Sequence, residues 1–147
     1  MNKGETWVIE YKENNKVLYS LKIEDLIEFC KTLEVEDVRI EDTIVPLITK
    51  DDLNKIENSD LNIPIILLKS PVPLVSNKCL KVLDGSHRLR KAYLRKQKTI
   101  KAVILRLEDK RIPYKWRELF RLKMREWSVK AFFIKFNDLD KENWYIK

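Results

Sequence analysis

The chain has 147 residues and a net charge of +7, with 44% hydrophobic residues, fourteen aromatics, two glycines and five prolines. That length and apolar content suit one domain with its own core and exclude a low-complexity or disordered chain. No apolar run approaches the ~20 residues of a membrane span, no apolar stretch follows Met1 to Glu5 as in a signal peptide, and Cys30 and Cys79 lack any CxxC spacing, so a membrane protein, a disulfide scaffold and a structural zinc site are excluded and a cytoplasmic protein is expected.

Thr6 to Tyr11 alternates and is rich in β-formers, which predicts a strand. Asn14-Asn15 signals a turn, and Lys16 to Leu21 returns as the second strand of a hairpin. Trp7, Ile9 and Tyr11 share one face. Ile23 to Leu33 has helical spacing in Leu26, Ile27, Cys30 and Leu33, with Glu24 and Asp25 in the first turn. Val38 to Ile44 reads as one extended segment ended by Pro46. Thr49 is the expected N-cap of a short helix whose inward side is Leu53 and Ile56.

Ile63 to Leu68 is a near-continuous apolar run of strand length, as expected for a strand covered on both faces. Pro71 and Pro73 mark a loop, and Leu80 to Leu83 is the next strand. His87 to Lys96 is a helix, with Leu89, Ala92, Tyr93 and the Lys96 stem inward and Arg88, Arg90, Lys91 and Arg95 outward. Thr99 to Leu107 is a further strand, with Ile100, Ala102, Ile104 and Leu107 as core residues. Pro113 suits a first helical turn. Trp116, Leu119, Phe120 and Met124 then form an apolar stripe flanked by Lys115, Arg117, Arg121, Lys123 and Arg125. Ala131 to Phe136 is a short apolar run, and Asn143 to Ile146 ends the chain with two more aromatics. The expected organisation is a core over 1–110 and a basic helical extension over 111–147 packed on it.

Charge divides the chain. Residues Ser86 to Lys130 hold sixteen Lys or Arg against four Asp or Glu, a balance of +12, while the remainder sums to −5. A one-sided positive field points to a polyanionic or phosphorylated partner, or to a solvated helical surface. Lys115, Arg117, Arg121 and Arg125 are the candidates for contact with a DNA or RNA backbone.

The basic half opens with Asp84-Gly85-Ser86-His87-Arg88. Gly85 is the only glycine away from the N-terminus, and it stands between an apolar strand and a helix. A glycine there permits positive φ and close approach to the main chain. The free N–H groups at the helix start can then hold an anion. Arg88 can grip a phosphate through two oxygens, and Arg90 can reach a second one. Ser86 is an N-cap, a phosphate ligand, or both. His87, the single histidine, can donate to a phosphate or serve as acid and base. Asp84 can hold a magnesium ion, take a proton from a substrate hydroxyl, or cap the turn.

With Pro64-Ile65 before it and Ala92 and strand Ile100 to Ile104 after it, this motif resembles the ParB/sulfiredoxin superfamily over residues 38 to 107. The resemblance implies an α+β fold: a ParB/sulfiredoxin-like mixed sheet with flanking helices, here with an N-terminal β-hairpin and a C-terminal basic helical extension. It implies a nucleotide (ATP, ADP or CTP), with Mg2+, whose phosphates lie on Gly85, Ser86, His87, Arg88 and Arg90. Ser86 stands at the position of sulfiredoxin's catalytic cysteine, and a hydroxyl is a far weaker nucleophile than a thiolate. The nearest motif is the Asp-Gly-His-His-Arg of the free serine kinase type. That type places a glutamate before its first core helix, where the nearby carboxylates here are Glu41, Asp42 and Asp51. The expected activity is phosphoryl hydrolysis or transfer from a nucleoside di- or triphosphate, with Asp84 and His87 as catalytic residues. The alternative is a ParB-like nuclease, or a non-catalytic DNA- or RNA-binding module using the basic C-terminal half.

Overall fold

A computed structural model describes residues 7–46, 48–49, 52–75, 77–136 and 145–146, with side chains over 7–46, 52–75 and 77–127. The expectations for Thr6, Asn143 and Trp144 fall outside the described residues, as does Asp51. The architecture is mixed α+β. Strands β1 (Val8–Glu13) and β2 (Lys16–Lys22) form an antiparallel hairpin that runs into helix α1 (Ile23–Cys30). Asn14 and Asn15 take φ of 53° and 64°, the left-handed pair that a two-residue hairpin turn needs and that asparagine tolerates.

The main sheet has five strands in the order β3-β8-β6-β7-β4. They are β3 (Glu36–Arg39), β4 (Thr43–Ile44), β6 (Ile65–Lys69), β7 (Leu80–Asp84) and β8 (Thr99–Arg106). β8 runs parallel to β6, and β4 parallel to β7; the other two pairings are antiparallel. The segment expected as one strand over Val38 to Ile44 is therefore two. A 3-10 turn at Ile40–Asp42 separates them, and they lie at opposite edges of the sheet. A flat five-stranded sheet would put its edges about 19 Å apart. The four residue steps from Arg39 to Thr43 span at most about 14 Å. The sheet must curl to let so short a link join its edges. Thr43 secures the corner: it is fully buried, and its hydroxyl donates to the Ile40 carbonyl at 2.7 Å.

The apolar run of β6 is buried on both faces, as its lack of polar alternation predicts. Ile66 and Leu68 join a core with the hairpin, α1 and helix α4 (Tyr114–Phe136). Ile65 and Leu67 join a second core against helix α3 (Ser86–Leu94), with Leu89 and Ala92 fully buried. Leu119, Phe120 and Met124 of α4 enter the first core, and Ala131 to Phe136 continue the same helix. No helix among the described residues is long and apolar enough to cross a membrane.

Several side chains face the other way from expectation. Leu53 is exposed on α2 (Leu53–Glu57), whose buried residue is Ile56. Asp52, not Thr49, precedes that helix; Thr49 lies in strand β5 (Ile48–Thr49), paired parallel with β9 (Tyr145–Ile146). Tyr93 is exposed, while Arg88 and Arg90 are buried. Helical periodicity assigns arginine to solvent, but here the Arg88 guanidinium meets the Asp84 carboxylate and that of Arg90 meets the Pro46 carbonyl.

At the β3–β8 edge, Arg106 grips Glu36 with two hydrogen bonds of 2.9 and 3.2 Å. Those bonds hold the Glu36 carboxyl below its ordinary value. The folded group thus titrates below the unfolded one, so its contribution is present above the unfolded value and lost as pH falls through the folded value. The pair is solvent-exposed, so Glu36→Gln is expected to cost no more than about 1 kcal/mol at neutral pH. The gap from wild type should close in urea melts carried out at acid pH.

Candidate functional site

β7 carries the chain into the site. Its last residue, Asp84, is followed by Gly85 at φ +100°, which is the N-cap of α3. Ser86 is therefore the first residue inside the helix and not its cap. No side chain caps α3, so its first amides have no partner within the helix and carry the positive end of its dipole. A Cβ on Gly85 would stand 2.5 Å from Ile65 Cγ2 and 2.8 Å from Arg88 Nη2. Both φ and packing therefore require glycine at this turn.

The turn opens into a cleft of about 660 Å³. Asp84, Gly85, Ser86, His87 and Arg88 line one side, with Lys81 of β7. α2 and the residues after it supply Asn54, Lys55, Asn58, Ser59 and Asp60. The hairpin supplies Trp7 and Ile9, and α4 supplies Trp127. Lys81 Nζ lies 4.8 Å from the Trp127 ring centre, a cation–π contact.

Arg88 is the centre of the site. Its Nη2 donates to Asp84 Oδ2 at 2.9 Å, one helical turn back, and only 7% of Arg88 and 8% of Asp84 are exposed. The Arg88 Nε is buried without a hydrogen-bond partner. A buried donor left unsatisfied costs about 1–3 kcal/mol; Arg117 Nε on α4, away from the cleft, is buried in the same way.

His87 makes a contact that spans 35 residues: its Nε2 lies 3.1 Å from Asp52 Oδ1. A carboxylate only accepts, so it fixes Nε2 as the N–H and leaves Nδ1 to take a proton. Asp52 is the carboxylate that reaches the motif, and no local sequence signal singled it out.

The other predicted residues lie elsewhere. Arg90 does not line the cleft; its Nη2 donates to the Pro46 carbonyl at 2.7 Å, and it is 3% exposed. Burial lowers its pKa, though a guanidinium stays charged. Lys91 Nζ donates to the Glu57 and Ser59 carbonyls at 2.8 and 2.7 Å, and so clamps the end of α2 onto α3. On α4, Arg121 pairs with Glu118 and Lys123 with Glu126, at 2.8 and 2.7 Å. Arg117 stacks over Tyr114, with its guanidinium carbon 5.8 Å from the ring centre. Lys115 and Arg125 are exposed. The four basic candidates are thus not assembled at the cleft.

Asp84, the expected magnesium ligand, faces a guanidinium at 2.9 Å, and the described residues hold no group of three His, Cys, Asp or Glu, so a magnesium ion here would be carried mainly by the ligand's phosphates. A nucleotide fits the cleft. The cleft has the size of a small-ligand site, and it combines indoles with an uncapped helix start and a buried donor.

Cys30, under the site, is no nucleophile. Burial, and then the charge of Asp84, push its thiol up to about 12. It should resist a disulfide reagent at pH 8 in the native protein. Cys79 is partly exposed, so one thiol equivalent is expected to react at once and the second only in denaturant.

No family model matches the sequence, and no curated protein matches it. Among solved structures, the chain is similar to the C-terminally truncated chromosome-partitioning protein ParB from Caulobacter crescentus complexed with CTP-γ-S. The identity is 20% over 75% of this chain and 68% of that one, with a TM-score of 0.40. A likeness that distant is below what demonstrates a shared activity.

Proposed function

We propose that this protein binds a nucleoside di- or triphosphate in the cleft at the start of α3, and that it hydrolyses or transfers the terminal phosphoryl group. The observation that carries the reading is the uncapped start of α3, opening at Gly85 onto a cleft that Arg88 and Lys81 also line. The amides of Ser86, His87 and Arg88 would take phosphate oxygens, and Arg88 and Lys81 would balance their charge. The Asp-Gly-x-His-Arg resemblance supports the same assignment.

Chemistry would rest on positioning and charge. In hydrolysis, a water attacks the terminal phosphorus, the bond to the leaving phosphate oxygen breaks, and the attacking water's proton passes to His87 Nδ1. Asp52 would hold the imidazole in that tautomer and stabilise the imidazolium formed. Asp84 serves here as the positioning partner of Arg88. No step is routed through a metal.

Phosphate release from ATP, CTP and GTP tests this. His87→Asn and Asp52→Asn should each lower kcat by roughly 10²-fold or more while changing binding only a few-fold. A wild type that binds a nucleotide but releases no phosphate would contradict the catalytic part and leave a binding module. The nucleic-acid reading is weaker, because none of Lys115, Arg117, Arg121 and Arg125 lines the cleft and Arg121 already pairs with Glu118; its signature would be binding that collapses as salt rises.

A further inference from the structure

The cleft has a second chemistry that phosphate recognition leaves unused. Two of its lining residues are tryptophans, and they come from elements far apart in the chain. Trp7 stands at the entry to the hairpin, and its carbonyl accepts from the Ile23 amide at 3.0 Å, which ties its backbone to the start of α1. The residue is nevertheless 40% exposed. Ile9, two residues on and on the same hairpin face, is almost wholly buried. The hairpin thus has enough core beneath it without the Trp7 ring. Trp127, from α4, has the Lys81 ammonium 4.8 Å from its ring centre, so a cation stands beside this indole on the cleft wall.

A bare polyphosphate has no use for such a wall. A ligand carrying a planar heteroaromatic ring does, because a base stacks on an indole face while its phosphates stay among cations. Stacking grips the face of the base, whereas the edge is left to hydrogen bonds.

Resting on the phosphate reading above, we infer that Trp7 is the base platform of the site, with Trp127 lining the same cleft. The ligand is then a base-bearing nucleotide held at two ends, the phosphates on α3 and the base against the hairpin. The hairpin and α4 take part in ligand binding and do not merely cover the sheet.

The test compares ATP with inorganic tripolyphosphate, read by calorimetry and by intrinsic tryptophan fluorescence, on wild type, Trp7→Leu, Trp7→Phe and Arg88→Ala. ATP should quench wild-type fluorescence and tripolyphosphate should not. Trp7→Leu should weaken ATP binding about tenfold or more and leave tripolyphosphate binding unchanged. Trp7→Phe keeps a ring face and should stay within a few-fold of wild type, which separates lost stacking from a disturbed hairpin. Equal ATP affinity in wild type and Trp7→Leu, with tripolyphosphate bound by both, would overturn the platform and leave the phosphate site standing. Failure of both ligands to bind wild type would overturn the phosphate reading and this inference with it.

Discussion

Arg88→Ala is expected to lose about 3–5 kcal/mol of stability, because it strands the Asp84 carboxylate in a nearly dry position. In a chain of this size that is a fall in Tm of roughly 10 °C or more. The loss would mix folding with binding, so a second variant separates them. Asp84→Val with Arg88→Met replaces both charges by apolar groups, and removing a buried pair whole is often neutral for stability. The double variant should melt within a few degrees of wild type and still fail to bind phosphate ligands. A double variant that binds as wild type would assign Arg88 to structure alone. Thermal melts with and without ligand supply both readings.

Gly85→Ala should cost about 2–6 kcal/mol and disable the site. Two effects add. At φ +100° an L side chain is strained by about 1–3 kcal/mol. The new methyl also has nowhere to go, since Ile65 is fully buried and its Cγ2 would be 2.5 Å away. Overpacking of that kind costs typically a further 1–3 kcal/mol. The other close atom is Arg88 Nη2, so any relief must move the guanidinium that the ligand is expected to meet. The urea midpoint checks the size of the effect; a wild-type midpoint would contradict both the φ and the packing argument.

The core of this fold is readable from local pattern. The Asn14-Asn15 turn, the both-face burial of β6 and the special place of Gly85 each follow from residue type and spacing. What escapes is set by distant neighbours. The break between β3 and β4 comes from sheet curl, which no run of seven residues encodes. Arg88 and Arg90 look like surface residues by periodicity, yet one finds Asp84 and the other the Pro46 carbonyl, 44 residues away. The Asp84–Arg88 pair did leave a trace, because i and i+4 spacing puts them in reach once a helix starts at Ser86. Asp52 and the tryptophan wall left none. Asp52 meets His87 across 35 residues, and Trp7 and Trp127 line one cleft only because the hairpin and α4 share one core.

A thermal-shift titration of wild type with ATP, ADP, CTP and GTP tests the nucleotide site most directly. At about 100 times its dissociation constant, a ligand that binds only the folded state adds about 2.7 kcal/mol. That corresponds to a rise in Tm of roughly 5–10 °C for a chain of this length. Such a rise is expected with at least one nucleotide, and none in the Asp84→Val, Arg88→Met double variant. No rise with any nucleotide, in a protein that melts cooperatively, would contradict the nucleotide site.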